Sequence, residues 1–450
     1  MKKKYLLIFA FIFLSCGTDY YYSSFNIKKD LQWMVSPEDQ ANMNKYTAIA
    51  NASKFNEYTS PAIVATPANY VLAIYEKRSN PTFDIIGLDN GLNGTIDIIA
   101  SISTTTDDFL IQRTVGGESI SSADSHASPI AFVNRDGNVV VLAVGGVGFG
   151  AGQATDVSKI SLSISSNNGN TWTKWKDLPQ EIFSDLSNKG YDRYYTTPGT
   201  GIILGNGTLA CTIEYRSSTQ SGGNKNTPAG AAILYSTDNG ENWKIGATLT
   251  YGGANSHRFA RIIAERRDGK LLIAAVKNTG NNNYDAYNGK GALAWYLADN
   301  INGTINSFSV TGLPENSGGT VSGGRIKYTY DGKSRDGILL LHSGDTRIYN
   351  SPSGDKFNVI NPMSFSISDD EGATWRLITN LVGNAGLEKT SFKQSMVIFK
   401  DGTIGAAMEE SLGPTINPTS TAKDLIFFSI IFRRVSLHSL SGGEYTYEGL

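Results

Sequence analysis

Ile160-Ser161-Leu162-Ser163-Ile164 alternates apolar and polar side chains, the period of a strand with one buried face. It runs directly into Ser165-Ser166-Asn167-Asn168-Gly169-Asn170-Thr171-Trp172. The same ending recurs twice, at Ser236-Thr237-Asp238-Asn239-Gly240-Glu241-Asn242-Trp243 and at Ser368-Asp369-Asp370-Glu371-Gly372-Ala373-Thr374-Trp375. The shared form S-x-[DN]-x-G-x-[TN]-W predicts a hairpin. The Asp or Asn side chain accepts backbone hydrogen bonds within the turn, the Gly takes a positive φ, and the Trp opens the returning strand and packs over the turn.

Spacing turns three hairpins into an architecture. Trp172 and Trp243 are 71 residues apart, and Trp243 and Trp375 are 132 apart, about two units. A worn copy, Leu297 to Gly303 running on to Phe308, lies between them, and another, Ser103 to Phe109, precedes the first. A second turn series interleaves: Asp136-Gly137, Asn206-Gly207, Asp268-Gly269, Asp336-Gly337 and Asp401-Gly402 each precede an apolar strand. Pro67-Ala68-Asn69 provides a sixth turn, before the strand that runs to Tyr75. Two turn series on one period of about 66 residues weigh against the competing reading, a β-sandwich with coincidental turns. The expectation is an all-β, six-bladed β-propeller over residues 51–440. Leu425 to Val435 is expected to close the ring beside the strand near Ala62, removing the free sheet edges.

Composition agrees. Charged residues are 18% of the chain, and its 48 glycines suit a turn-rich β protein. The net charge of −2 gives no reason to expect a nucleic-acid partner. His126, His257, His342 and His438 lack metal-ligand spacing, and no phosphate loop or nucleophile elbow is present. No metal and no cofactor are expected.

The first residues set the expected compartment. Met1-Lys2-Lys3-Lys4 is a positive start, and Tyr5 to Leu14 is an apolar run of ten residues. A bilayer span needs about 20, so the run reads as a signal segment. Phe13-Leu14-Ser15-Cys16-Gly17 resembles a bacterial lipobox, which would leave Cys16 carrying lipid. An ordinary secretory signal is the alternative; either implies export. Residues 1–16 are thus the expected signal, 17–50 a tether and 441–450 a tail. The mature chain is expected as a monomer, lipid-anchored to the bacterial cell envelope or surface. Only Cys211 remains after Cys16, so no intramolecular disulfide is expected in the mature chain.

The repeated segments resemble the Asp boxes of bacterial sialidases (neuraminidases). Pro198-Gly199-Thr200-Gly201-Ile202 and Asp401-Gly402-Thr403-Ile404-Gly405 with Met408-Glu409 are similar to further elements of that family. The resemblance implies an exo-α-sialidase-like glycoside hydrolase acting on terminal sialic acids, with sialylated or other host glycoconjugates as partners. It also implies three arginines gripping a carboxylate, a tyrosine nucleophile paired with a glutamate, and an aspartic acid acting as acid then base.

Carried across residue by residue, the pattern matches in part. Arg78-Ser79-Asn80-Pro81-Thr82-Phe83-Asp84 makes Asp84 the candidate acid/base and Arg78 a binding arginine. The bland alternatives are a solvated loop carboxylate and a surface ion pair. Thr59, within Tyr58-Thr59-Ser60-Pro61, stands where the first arginine belongs, although Glu409, its expected supporter, is present. Lys277 and Arg347 are the nearest cations to the second and third arginine positions, Arg347 with a plain loop arginine as its alternative. The nucleophile position falls on Lys393 and its glutamate partner on Ala260. The alternative function is therefore a catalytically inactive, glycan-binding, adhesin-like propeller. Asp boxes also occur in non-enzymatic propellers, so they specify fold rather than function.

Overall fold

The computed structural model describes residues 46–51, 56–79, 94–104, 108–150, 157–219, 227–251, 257–277, 293–313, 320–343, 346–350, 356–360, 363–380, 393–410 and 429–449. Six antiparallel sheets form the blades of a β-propeller. Blade 1 runs outward through Glu57–Ala65, Val71–Arg78, Ile96–Ser103 and Ile111–Thr114. Blade 2 uses Ala127–Val133, Val139–Gly146, Ser158–Ser165 and Lys176–Asp177, with Gly199–Thr200 added parallel on its inner edge. Blade 3 uses Arg193–Thr196, Leu209–Arg216, Gly230–Ser236 and Lys244–Thr250. Blade 4 uses His257–Glu265, Leu271–Lys277, Leu293–Ala298 and Ile305–Ser307. Blade 5 uses Ser322–Tyr330, Lys333–Ser343, Met363–Ser368 and Arg376–Asn380. Blade 6 uses Gln394–Ile398, Thr403–Glu410 and Ser429–Ser436, and borrows Thr47–Ala50 as its fourth strand.

Burial falls off from the axis. The second strands are packed on both faces by neighbouring blades, so they read as continuous apolar runs: Val139 to Val144 is wholly buried, as is Ile338 to Leu341. Truncating one such side chain to Ala is expected to cost about 2–5 kcal/mol. The outer strands, such as Ile111–Thr114 and Lys244–Thr250, are largely in contact with solvent.

The Asp-box hairpins form as their composition dictates, and they also brace one blade on the next. Asp370 Oδ1 accepts from the Thr374 amide at 2.8 Å and from Ser368 Oγ at 2.8 Å, and Trp375 Nε1 donates to the Gly372 carbonyl at 3.0 Å. Asp238 and Trp243 repeat the pattern. Gly372 has φ +90°, and a Cβ there would fall 2.5 Å from Leu272 of blade 4. Gly169, with φ +86°, packs the same way on Leu72 of blade 1. Glycine is therefore required twice over, by backbone sign and by blade contact.

Three expectations need correction. The inner turn of blade 5 is Asp331-Gly332, with φ +51° and +66°, whereas Asp336-Gly337 lies inside the strand Lys333–Ser343. That blade opens on a longer hairpin, whose first strand also takes Tyr445–Gly449 on its other side. The ring closes where Ser429–Ser436 pairs with Thr47–Ala50, not beside Ala62. Glu57–Ala65 is already the inner strand of blade 1, and it is the outer edge of Ser429–Ser436 that needs covering. The sheets consequently reach into residues expected as tether and as tail.

Candidate functional site

In every blade the start of the inner strand and the end of the second strand lie at one end of the propeller, as the pairing of Glu57 with Arg78 fixes for blade 1. The Asp boxes lie at the opposite end of the strands. Leu209, which opens its strand, and Glu214, near the other end of that strand, are about 17 Å apart at the usual rise of about 3.3 Å per residue. A group of buried charged side chains gathers at the axial end.

Their framework is a device used three times. The inner strands of blades 1, 2 and 4 each open with a bulge, at which Ser60, Ser128 and Phe259 take φ of 62°, 57° and 54°. Such backbone costs about 1–3 kcal/mol each and persists only when its surroundings hold it. A buried glutamate on the second strand of another blade does so. Glu409 Oε1 accepts the Ser60 amide at 2.7 Å, Glu76 Oε1 accepts the Ser128 amide at 2.8 Å, and Glu214 Oε1 accepts the Ala260 amide at 3.1 Å. Blade 6 is thus latched to blade 1, blade 1 to blade 2, and blade 3 to blade 4. Pro61 and Pro129 follow two of the bulges, where the broken ladder asks for no amide donor.

The first two latches meet in a charge cluster. Arg78, only 2% exposed, donates Nε and Nη2 to Glu76 Oε2 at 2.9 and 2.7 Å. Lys393, 1% exposed, donates Nζ to Thr59 Oγ1 at 2.9 Å and to Ser60 Oγ at 2.8 Å. Its ammonium is 3.9 Å from Glu409 Oε1, which also accepts the Thr59 hydroxyl. Burial pushes the Glu76 carboxyl up, but Arg78 and Lys393 outweigh it and the net direction is down. Burial dominates at Glu409 and holds its carboxyl above the usual range, against the pull of Lys393 and the bonds from Thr59 and Ser60. Glu57 completes the group. Burial carries its carboxyl up to about 7, with Arg78 pulling down and Glu409 pushing up. Three carboxyls face two cations, and the third keeps its proton into the neutral range. Burial similarly lifts Glu214 to about 8, against its amide bonds and Arg258.

The sequence-based candidates are distributed as follows. Arg78 and Glu409 belong to this one cluster, and Arg78 is turned to Glu76. Lys277 is exposed at the end of its strand, its backbone paired with His257, and makes no hydrogen bond or ion pair with the cluster. Arg347 lies in a separate two-stranded hairpin, Thr346–Asn350 with Lys356–Ile360, its backbone opposite Val359. Asp84 and Cys16 lie outside the described residues. Glu57, Glu76 and Glu214 were not anticipated. A signal existed: Glu76, Glu214 and Glu409 each come seven residues after the turn residues Asn69, Gly207 and Gly402.

A six-bladed Asp-box propeller with a charge-paired axial centre defines the class. Residues 40–291, more than half of the chain, match the BNR repeat-like domain family model, and the chain belongs to that family. It is a sialidase-like BNR propeller. It is 23% identical over 386 residues to a sialidase of Bacteroides fragilis, covering 81% of this chain and 62% of that protein, so it spans less than two thirds of that relative. A Hadza microbial sialidase superposes with a TM-score of 0.61 at 19% identity, over 88% of this chain and 69% of that one. Trypanosoma rangeli sialidase bound to the inhibitor DANA gives 0.58 at 15% identity, over 87% of this chain and 58% of that one. The intramolecular trans-sialidase of Ruminococcus gnavus, in complex with oseltamivir carboxylate, gives 0.58 at 13% identity, over 88% and 98% of the two chains. At these identities the structural likeness establishes the fold.

Proposed function

We propose that this sialidase-family propeller binds glycans at its axial end without hydrolysing sialosides through a tyrosine nucleophile. The observation that carries the reading is the environment of Lys393. At the position that the family resemblance gives to the nucleophile stands a buried ammonium, bonded to Thr59 and Ser60 and facing Glu409. A lysine held there as a cation has no lone pair to attack an anomeric carbon. Ala260, at the position of the partner glutamate, offers only an amide, and that amide is bonded to Glu214. Thr59 cannot provide the bidentate charge of a guanidinium. Family membership and the sialidase relative support glycans, sialylated ones first, as ligands. The leader and Cys16 support export and a lipid anchor at the envelope, with the propeller acting as a monomer.

A second reading has one observation in its favour. Glu57 keeps its proton up to about pH 7 at the edge of the cluster, the condition a general acid requires. A hydrolase of this kind would use a water or another group as nucleophile and would lose turnover in Glu57→Gln. Glycan-array binding and fluorogenic sialoside hydrolysis, run together on the wild type and Glu57→Gln, separate the two. Binding without turnover supports the first reading, and turnover lost in Glu57→Gln supports the second.

A further inference from the structure

Arg261 stands on the inner strand of blade 4 and reaches across the propeller axis. Its Nη1 donates to the Val321 carbonyl of blade 5 and to the Gln394 carbonyl of blade 6, both at 2.8 Å. On another side the guanidinium lies against Gly199, the strand added to blade 2, where a Cβ would fall 2.4 Å from Nη2. One side chain thus ties three blades together and touches a fourth.

Those bonds use only part of it. A guanidinium has five N–H donors. The Arg261 side chain is 6% exposed, and its Nε and Nη2 are buried with no hydrogen-bond partner. No carboxylate pairs with it among the described residues. Two other buried cations of the axial region do have acids: Arg78 has Glu76 and Lys393 faces Glu409. The Thr197 hydroxyl, two residues before Gly199, is likewise buried and without a partner. Burial carries the Arg261 guanidinium down to about 9, with the Tyr195 phenol opposing, which leaves it fully charged at neutral pH. A buried charge needs a counter-charge as well as hydrogen bonds. Water would satisfy the N–H groups and leave the charge uncompensated.

We propose that Arg261 holds a small monovalent anion, chloride in the protein's natural setting, at its Nε and Nη2. The free donors are closed to solvent, so the ligand is an ion close to water in size and not a carboxylate or phosphate ester. The site adjoins the Lys393 cluster along the chain, since Gln394, whose carbonyl Arg261 holds, directly follows Lys393. The anion is a structural counter-ion that fixes blades 2, 4, 5 and 6 around the floor of the glycan site, and it does not depend on whether that site binds or hydrolyses.

The test is thermal unfolding of the full-length protein at constant ionic strength, with chloride replaced stepwise by gluconate, which is too large to enter. A ligand bound only by the folded state raises the midpoint as its concentration passes the dissociation constant. The wild type is expected to gain several degrees between about 1 and about 100 mM chloride, and Arg261→Met is expected to show no such gain. Equal midpoints in chloride and gluconate, or a chloride effect retained in Arg261→Met, would overturn the proposal. Should Arg261→Met fail to fold, bromide-soaked crystals of the wild type decide the matter. An anomalous peak within hydrogen-bonding distance of Nε and Nη2 supports the site, and water alone at that position overturns it.

Discussion

Lys393 and Thr59, 334 residues apart, share a buried hydrogen bond of 2.9 Å at the meeting of blades 6 and 1. By the family resemblance, Thr59 falls where an arginine is expected and Lys393 where a tyrosine is expected. In the structure Lys393 brings the cation to Thr59 and Ser60, and its ammonium faces Glu409.

Because Lys393 compensates Glu409, removing the cation alone is expected to be severe. Lys393→Met leaves a buried carboxylate without its counter-charge, at a cost of about 3–5 kcal/mol. Lys393→Met combined with Glu409→Leu is expected to recover part of that loss, though the Ser60 amide then lacks its acceptor. Denaturant unfolding of the two variants beside the wild type checks the order.

Glu57 makes a prediction in pH. Its folded-state value of about 7 lies above the ordinary carboxyl value of 4.5, so between those limits the folded state holds a proton that the unfolded chain has released. Its contribution to stability therefore falls as pH rises from about 4.5 to about 7 and is lost above that. Glu57→Gln, which stays neutral, should match the wild type at pH 4 and be more stable at pH 8, by roughly 3.5 kcal/mol at about 1.4 kcal/mol per pH unit. Melting curves across that range measure it. A difference that does not grow with pH would mean that Glu57 is ionised throughout.

The Asp boxes predict a separation of fold from site. Asp370→Ala removes the acceptor of the Thr374 amide and of two hydroxyls. The expected cost is about 1–3 kcal/mol with glycan binding unchanged, since the turn lies at the far end of the strands. Unfolding curves and binding isotherms of the same variant check both halves.

The lipobox-like Leu14-Ser15-Cys16-Gly17, proposed as the end of a leader, predicts covalent lipid. Cells expressing the protein should incorporate labelled palmitate into it, and Cys16→Ser should abolish the label. Export of an unlabelled wild type would indicate an ordinary secretory signal instead.

The hairpins and their period were legible in the sequence because each rests on local chemistry. Ser368, Asp370, Gly372 and Trp375 form their turn from contacts within eight residues. Asp336-Gly337 misled because a turn dipeptide also fits inside a strand, and the nearby Asp331-Gly332 is what reverses the chain. The cluster was less legible for a different reason. Whether Lys393 is a loop cation or the partner of Thr59 depends on ring closure, which no local pattern encodes. The latch glutamates fall between these cases. Their shared offset from the turns is present in the sequence, but a buried carboxylate looks in sequence like any surface one.

Turnover separates a glycan-binding propeller from a hydrolase. Fluorogenic sialoside hydrolysis by the purified wild-type protein, measured beside its binding to sialylated glycans, is the direct measurement. Binding with no hydrolysis above the uncatalysed rate is the predicted result. Hydrolysis with a trapped glycosyl-tyrosine intermediate would contradict it, because it would place a working nucleophile where the structure has Lys393.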